Sequence, residues 1–243
     1  SNSTGRDQIW IMNADGSGKR LLADAAGYHD WSPSWSPDGM KIAFSRAYGR
    51  GTCAAYATMH ICVINADGTG LVEIPITGGH GEYDPAWSPD GTKIIYARDE
   101  GTCSNPMDIW VMNVDGSSKT LLYPASGNDW WYQREPKWSK TGKILFSEMT
   151  GTWDSWQLGV VNADGTGHYL IPDGNLQAST IRSDSWAFGD RKILYSGSPD
   201  GSTTNLYMVN ADGTGRIQVL QDAWNADFTA AQNKDLTGDV NGD

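Results

Sequence analysis

Nowhere in the 243 residues is there an apolar run of the roughly eighteen that a bilayer-spanning helix needs, so no segment reads as membrane-inserted. Charged residues are scarce at 19%, too few to coat the exposed faces of a helical bundle. Basic residues are the scarcer sign, 18 against 29 acidic, for a net charge of −11. That balance excludes nucleic acid and anionic membrane surfaces as partners, because both attract a basic face. Phe is rare at 4 and Cys at 3, yet Trp reaches 12 and Tyr 10, too many aromatics for a disordered chain. Motifs that announce a chemistry are missing: there is no Gly-x-Ser-x-Gly elbow, no phosphate-binding Gly loop and no His-Glu-x-x-His. The acidic residues stand mostly in turn motifs, and no pair of them is singled out by spacing as acid and base, so no catalytic residue is assigned. The opening, SNSTGRDQIW, carries no secretory leader pattern and reads as a mature or excised piece.

What is abundant is Gly, at 29, and repetition. Five apolar runs end in Asn-x-Asp-Gly: IWIMNADG, ICVINADG, IWVMNVDG, LGVVNADG and LYMVNADG. Their aspartates, Asp15, Asp67, Asp115, Asp164 and Asp212, are spaced 52, 48, 49 and 48 residues apart. Between them fall four copies of a second unit, SPSWSPDGMKIAFS, DPAWSPDGTKIIYA, EPKWSKTGKILFS and SDSWAFGDRKILYS, in register on Trp35, Trp87, Trp138 and Trp186. Asp-Gly between short apolar runs marks a tight turn, so each unit reads as a β-hairpin. Two hairpins make four strands in about 50 residues, the period of a propeller blade. The fold expected is all-β, a β-propeller of four-stranded antiparallel blades, with four full blades after an N-terminal half blade.

These motifs resemble the TolB-type, WD40-like β-propeller repeat of bacterial proteins, over roughly residues 7 to 220. The resemblance implies inner-to-outer strands A to D: Trp-Ser-Pro ends A, Lys-Ile-Ala-Phe is B, Ile-Trp-Val-Met is C, and D follows Asn-x-Asp-Gly. Proteins with this repeat include periplasmic binders of peptides and proteins, propellers fused to peptidases, and pectin-oligosaccharide lyases with a histidine cluster. A shared fold does not choose among them. The first hairpin lacks an A–B partner, and SNSTGRDQ reads as the end of a B strand and its loop. Two readings of closure stay open: a part of a larger propeller of about six to eight blades, or a five-bladed ring with a degenerate strand within 221–230. The domain reading is thus 1–220 for the blades, 221–234 for a linker or closing strand, and 235–243 for a separate segment. That last segment ends DLTGDVNGD and is similar to the opening of a dockerin or EF-hand calcium loop, with Asp239, Asn241 and Asp243 as Ca2+ ligands.

Strands A and C run toward the tight turns, which scarcely vary between repeats, and the B–C and D–A loops open on the other face, where the repeats differ. Variable loops on a rigid scaffold are where binding resides. The D–A segments carry Tyr28, His29 and Trp31, then His80, Glu82 and Tyr83, then Trp130, Trp131, Tyr132 and Arg134; the B–C loops carry Tyr48, Arg50 and Tyr56, then Trp153 and Trp156. Such aromatics stack on sugars or anchor a protein. The strand tryptophans Trp10, Trp35, Trp87, Trp110, Trp138 and Trp186 recur in phase and are expected between blades. His29, His60 and His80 share the loop face and form a candidate transition-metal set, with Glu82 or Asp84, although no ligand spacing supports it. His168, in a tight-turn region, is expected to be solvated. The Asn-x-Asp-Gly aspartates are explained by turn chemistry, with cation binding as the alternative. Cys53 and Cys103 share Gly-Thr-Cys contexts; they, or Cys53 with Cys62, are the disulfide candidates, with Cys62 expected to be buried.

Three functions follow as expectations. The first is a secreted, non-catalytic binding module that recognises a protein or glycan through the loop face, in an extracellular or periplasmic bacterial setting and within a larger multidomain protein or assembly. The second is a carbohydrate-active lyase or hydrolase with a His-based metal site near His29, His60, His80 and Arg134. The third is a structural subunit of an extracellular assembly.

Overall fold

The structure is a computed structural model that describes residues 6–23, 25–48, 59–76, 78, 81–99, 107–125, 133–149, 156–171, 181–198 and 203–222. The chain forms two compact units, Ser1–Pro136 and Lys137–Asp243. All of the described regular structure is antiparallel β-sheet, in the blade pattern expected of a β-propeller.

The first unit begins with a two-stranded sheet, β1 (Trp10–Ile11) and β2 (Arg20–Leu21). Two four-stranded blades follow in chain order: β3 (Tyr28–Trp35), β4 (Lys41–Tyr48), β5 (His60–Asn65) and β6 (Val72–Glu73), then β7 (Glu82–Trp87), β8 (Lys93–Asp99), β9 (Met107–Asn113) and β10 (Thr120–Tyr123). β11 (Gln133–Trp138) opens the next sheet, which β12 (Lys143–Met149), β13 (Trp156–Asn162) and β14 (Tyr169–Leu170) complete. The second unit closes with β15 (Ile181–Ala187), β16 (Lys192–Gly197), β17 (Asn205–Asn210) and β18 (Ile217–Leu220).

The repeated turn motifs work through their side chains. Asp67 accepts from the Thr69 backbone N–H at 2.8 Å and from its hydroxyl at 2.7 Å, while Asn65 donates to Thr69 Oγ1 at 3.1 Å. Gly68, at φ +92°, is required twice over, because a Cβ there would also stand 3.0 Å from the Leu22 carbonyl. The Ser-Pro-Asp-Gly turn is built alike: Ser36 Oγ donates to Asp38 at 2.6 Å, and Asp38 accepts from the Met40 N–H at 2.9 Å. Lys41 Nζ joins the two turns of one blade by donating to Asn65 Oδ1 at 3.1 Å.

The A strands reach further upstream than Trp-Ser-Pro suggests, and they are bent on the way. Ser32, Asp84 and Glu135 each precede a proline and take φ of 50°, 52° and 55°. Around the first two, the A–B register slips between Trp31 and Ser34 and between Tyr83 and Ala86, as a β-bulge requires. The prolines therefore sit inside strands without forfeiting ladder bonds.

The packing between blades is apolar at its centre. Ala43, Ile61, Val63, Ile74, Trp87, Ile94, Tyr96 and Met112 form one cluster in the first unit. Leu145, Leu158, Val160, Ile171, Ile181, Trp186, Ile193 and Tyr195 belong to another in the second. Trp87 and Trp186 are buried, and each indole donates to an A-strand carbonyl one repeat earlier, Ser34 at 3.1 Å and Lys137 at 3.1 Å. The expectation of blade packing holds for these two but not for Trp10 and Trp35, which are 45% and 48% exposed. Trp35 lies on the A strand that follows β1–β2, a sheet with no A strand among the described residues, so its indole has no equivalent carbonyl to meet. Trp87→Ala should therefore cost about 3–5 kcal/mol in urea unfolding. Trp35→Ala should cost less than about 1 kcal/mol.

Candidate functional site

The loop-proximal ends of the first three full blades carry buried charge in an otherwise apolar setting, whereas the fourth has Gly197 at the equivalent B-strand position. In the first blade, Asp30, Arg46 and His60 lie side by side on β3, β4 and β5. Arg46 is 1% exposed and grips Asp30 with two bonds, Nε to Oδ1 at 2.7 Å and Nη2 to Oδ2 at 2.9 Å, while Nη1 reaches Glu73 Oε1 at 3.3 Å. Its guanidinium also lies over the Phe44 and Tyr28 rings, at 5.2 and 5.4 Å. Burial works against its charge, but bonding to Asp30 outweighs that, and Arg46 is held more firmly protonated than usual. Cys62, fully buried beside it, has its thiol pushed up to about 12 by burial, with Arg46 opposing the shift.

The second blade repeats the pattern with Glu82 opposite Arg98 and Asp108. Glu82 is fully buried and paired with Lys119 Nζ at 2.6 Å. Burial raises its carboxyl above the ordinary value, despite the opposing Lys119, Arg98 and His60. Arg98 lies over the Trp110 ring at 4.3 Å. In the third blade the sign is reversed: Glu148 takes the arginine position, and its Oε2 is 2.8 Å from His168 Nε2. His168, expected from its turn context to be simply solvated, keeps a quarter of its side chain exposed but is paired with Glu148 and stacks on Phe146. Arg46, Arg98 and Glu148 were legible as polar residues two places after the B-strand aromatics Phe44, Tyr96 and Phe146, a phase that sequence reasoning passed over.

The predicted site residues are only partly brought together. Tyr28, His29, Trp31 and Tyr83 are strand residues on β3 and β7 rather than loop residues, because the bulged A strands begin earlier than expected. Glu82 likewise opens β7, Arg134 lies on β11, and Trp156 opens β13. His29 and Trp31 stack at 5.4 Å, and both engage the Asp7 carboxylate, at 3.2 and 3.0 Å. Alternation along β3 puts His29 on the opposite sheet face from Asp30, and so from His60. The structure therefore does not unite those two histidines. His80, Trp130, Trp131, Tyr132, Trp153, Arg50 and Tyr56 lie outside the described residues, as do Cys53, Cys103 and the tail ligands Asp239, Asn241 and Asp243. Cys62 is a free thiol, which removes it from the disulfide alternatives.

No family model matches the sequence. An uncharacterized protein of Agrobacterium fabrum is 37% identical over 103 residues, which are 40% of this chain and 34% of that protein. The Tol-Pal system protein TolB of Rhizorhabdus wittichii is 39% identical over 82 residues, 33% of this chain and 16% of that one. The chain thus spans about a third or less of the length of these curated relatives. Among solved structures, TolB from Acinetobacter baumannii superposes with a TM-score of 0.67 at 16% identity, over 93% of this chain and 51% of that one. An oligogalacturonate lyase in complex with manganese gives 0.62 at 11%, over 88% and 60%.

Two outcomes follow from the charges. Hydrogen bonds from the Ser or Thr two residues on hold Asp15, Asp67, Asp115, Asp164 and Asp212 below the usual carboxylate range, and Ser88 with Thr92 holds Asp90 at about 2. A depressed carboxyl stabilises the fold above its unfolded value and loses that contribution as it protonates. Stability should therefore fall as the pH drops from about 4 towards 2, with Asp90 among the last to titrate by NMR. Glu82 has the opposite sign, contributing at acid pH and losing that contribution as the pH rises through its raised value. Separately, Arg46→Ala strands Asp30 in the interior and should cost about 3–5 kcal/mol by chemical denaturation.

Proposed function

Because the chain is built of TolB-type β-propeller repeats, we propose that it is a non-catalytic binding module that holds a protein partner against its loop face. The observation that carries this reading is the division of every blade into two ends. At one end, the hydrogen-bonded Asn-x-Asp-Gly turn recurs five times almost unchanged, and Ser-Pro-Asp-Gly forms the A–B turn of the first two full blades. At the other, the segments between B and C and between D and A differ in length and sequence, and they carry Trp130, Trp131, Tyr132 and Trp153. Buried pairs such as Asp30–Arg46 and Glu82–Lys119 stiffen the strands from which those segments spring. A stiff base lowers the entropy lost when loop aromatics dock on a partner.

A protein is favoured over a glycan by the identity to TolB, a protein of the Tol-Pal system, which is confined to about a third of this chain. The same relation supports a periplasmic location. Within the first unit His29 is bonded to Asp7 and lies on the opposite sheet face from His60, so these two histidines do not form a shared cluster, which favours binding over histidine-cluster lyase chemistry.

The test is affinity capture from a periplasmic extract of the source bacterium with wild-type protein and a Trp131→Ala/Trp153→Ala variant, with identified partners then measured pairwise. A specific protein should bind the wild type, and the variant should lose about 2 kcal/mol per anchoring aromatic. Equal binding by the variant would sink the loop-face assignment. Binding of a glycan on an array with no protein partner would overturn the partner class, and turnover of an oligogalacturonate would overturn the non-catalytic reading.

A further inference from the structure

Cys62 stands out when the blades are superposed by register. Its position on the C strand is held elsewhere by Trp10, Trp110, Gly159 and Tyr207, and its D-strand partner, Glu73, is replaced by Leu21, Leu121, Leu170 and Gln218. His60, two residues from Cys62 on the same face of β5, corresponds to Asp108, Gln157 and Asn205. Three residues with metal-binding side chains thus coincide in one blade, where each other described blade places at most one, Asp108, at the equivalent positions.

We propose that His60, Cys62 and Glu73 form a binding site for a single zinc-class divalent ion at the outer edge of the first full blade. Their ligand atoms all lie within 4.8 Å of one another. His60 Nε2 and Glu73 Oε2 are 3.6 Å apart. Two ligands bound at about 2.0 Å with a tetrahedral angle stand about 3.3 Å apart, so little movement is needed. Imidazole, thiolate and carboxylate together suit zinc better than calcium or magnesium, which select oxygen.

The surroundings complete the argument. Arg46 occupies Glu73 Oε1 and leaves Oε2 turned toward His60, the orienting role that outer-shell groups play around metals. Asp30 and Glu73 place two carboxylates against the single guanidinium of Arg46, so acidic side chains outnumber basic ones beside the site, a setting that suits a cation. Glu73 has a half-exposed side chain, which provides a way in, while Cys62 is shielded beneath it. Three protein ligands leave a fourth position for water. The site is independent of the loop-face reading above.

The experiment uses the full chain, stripped with a chelator and titrated with Co2+ as the optical probe, then with Zn2+ in competition. One equivalent of Co2+ should produce a thiolate-to-cobalt charge-transfer band that Zn2+ abolishes. Cys62→Ser should remove the band, and Glu73→Gln and His60→Ala should each weaken Zn2+ binding by at least about tenfold, the lower end of what even an outer-shell change costs. His29→Ala should leave the titration unchanged. Circular dichroism establishes that each variant is folded, and Glu73→Gln, at an exposed strand end, keeps the test decisive if Cys62→Ser is not. A band that survives in Cys62→Ser, the absence of any thiolate band in the wild type, or unaltered affinity in Glu73→Gln overturns the site.

Discussion

A carboxylate that accepts from the backbone two residues ahead of it sets the phase of the described blades. In Asn-x-Asp-Gly the aspartate is committed to the following Ser or Thr, the asparagine closes the same loop, and the glycine takes a left-handed turn that side chains rarely adopt. Once that turn is fixed, the C and D strands can pair in only one register, because a slip of one residue would turn the apolar face outward. The Ser-Pro-Asp-Gly turn fixes A against B in the same way, and a lysine ties the two turns together. The five recurring aspartates are thus structural groups, held by the hydroxyl and the backbone N–H of the Ser or Thr two residues on.

From that anchored end the strands extend to an end where the chemistry is free to vary. Arg46 with Asp30 and Glu82 with Lys119 are buried ion pairs, which seldom add net stability over apolar packing but are expensive to break. Their value here is positional. They fill the splayed ends of the blades with groups that must remain paired, and they fix the strand ends from which the variable segments depart. The third blade reaches the same result with the opposite sign, Glu148 bonded to His168.

Blade-to-blade comparison also explains where one-dimensional reasoning failed. Trp35 and Trp87 occupy the same motif and the same strand phase, yet one is 48% exposed and the other is buried. A motif records what a residue can do; whether a neighbouring carbonyl is there to receive the indole depends on the preceding sheet. The same holds for His29, whose place near the loop face suggested a shared site with His60, until strand alternation put the two on opposite faces of one sheet.

The sequence by itself determined the fold class, the blade count among the described residues, the strand order and the turn chemistry, because each rests on local spacing and short-range hydrogen bonds. It also marked Cys62 as buried, from its place in a C strand. Only the tertiary structure decided which tryptophans are covered, where the A strands bulge, and which charged groups meet: Arg46 lies 16 residues from Asp30 and 27 from Glu73. Those meetings depend on cross-strand register, and His60, Cys62 and Glu73 become neighbours only when β5 and β6 pair. A periodic sequence states its repeat openly; the departures from the repeat acquire meaning only once the strands lie side by side.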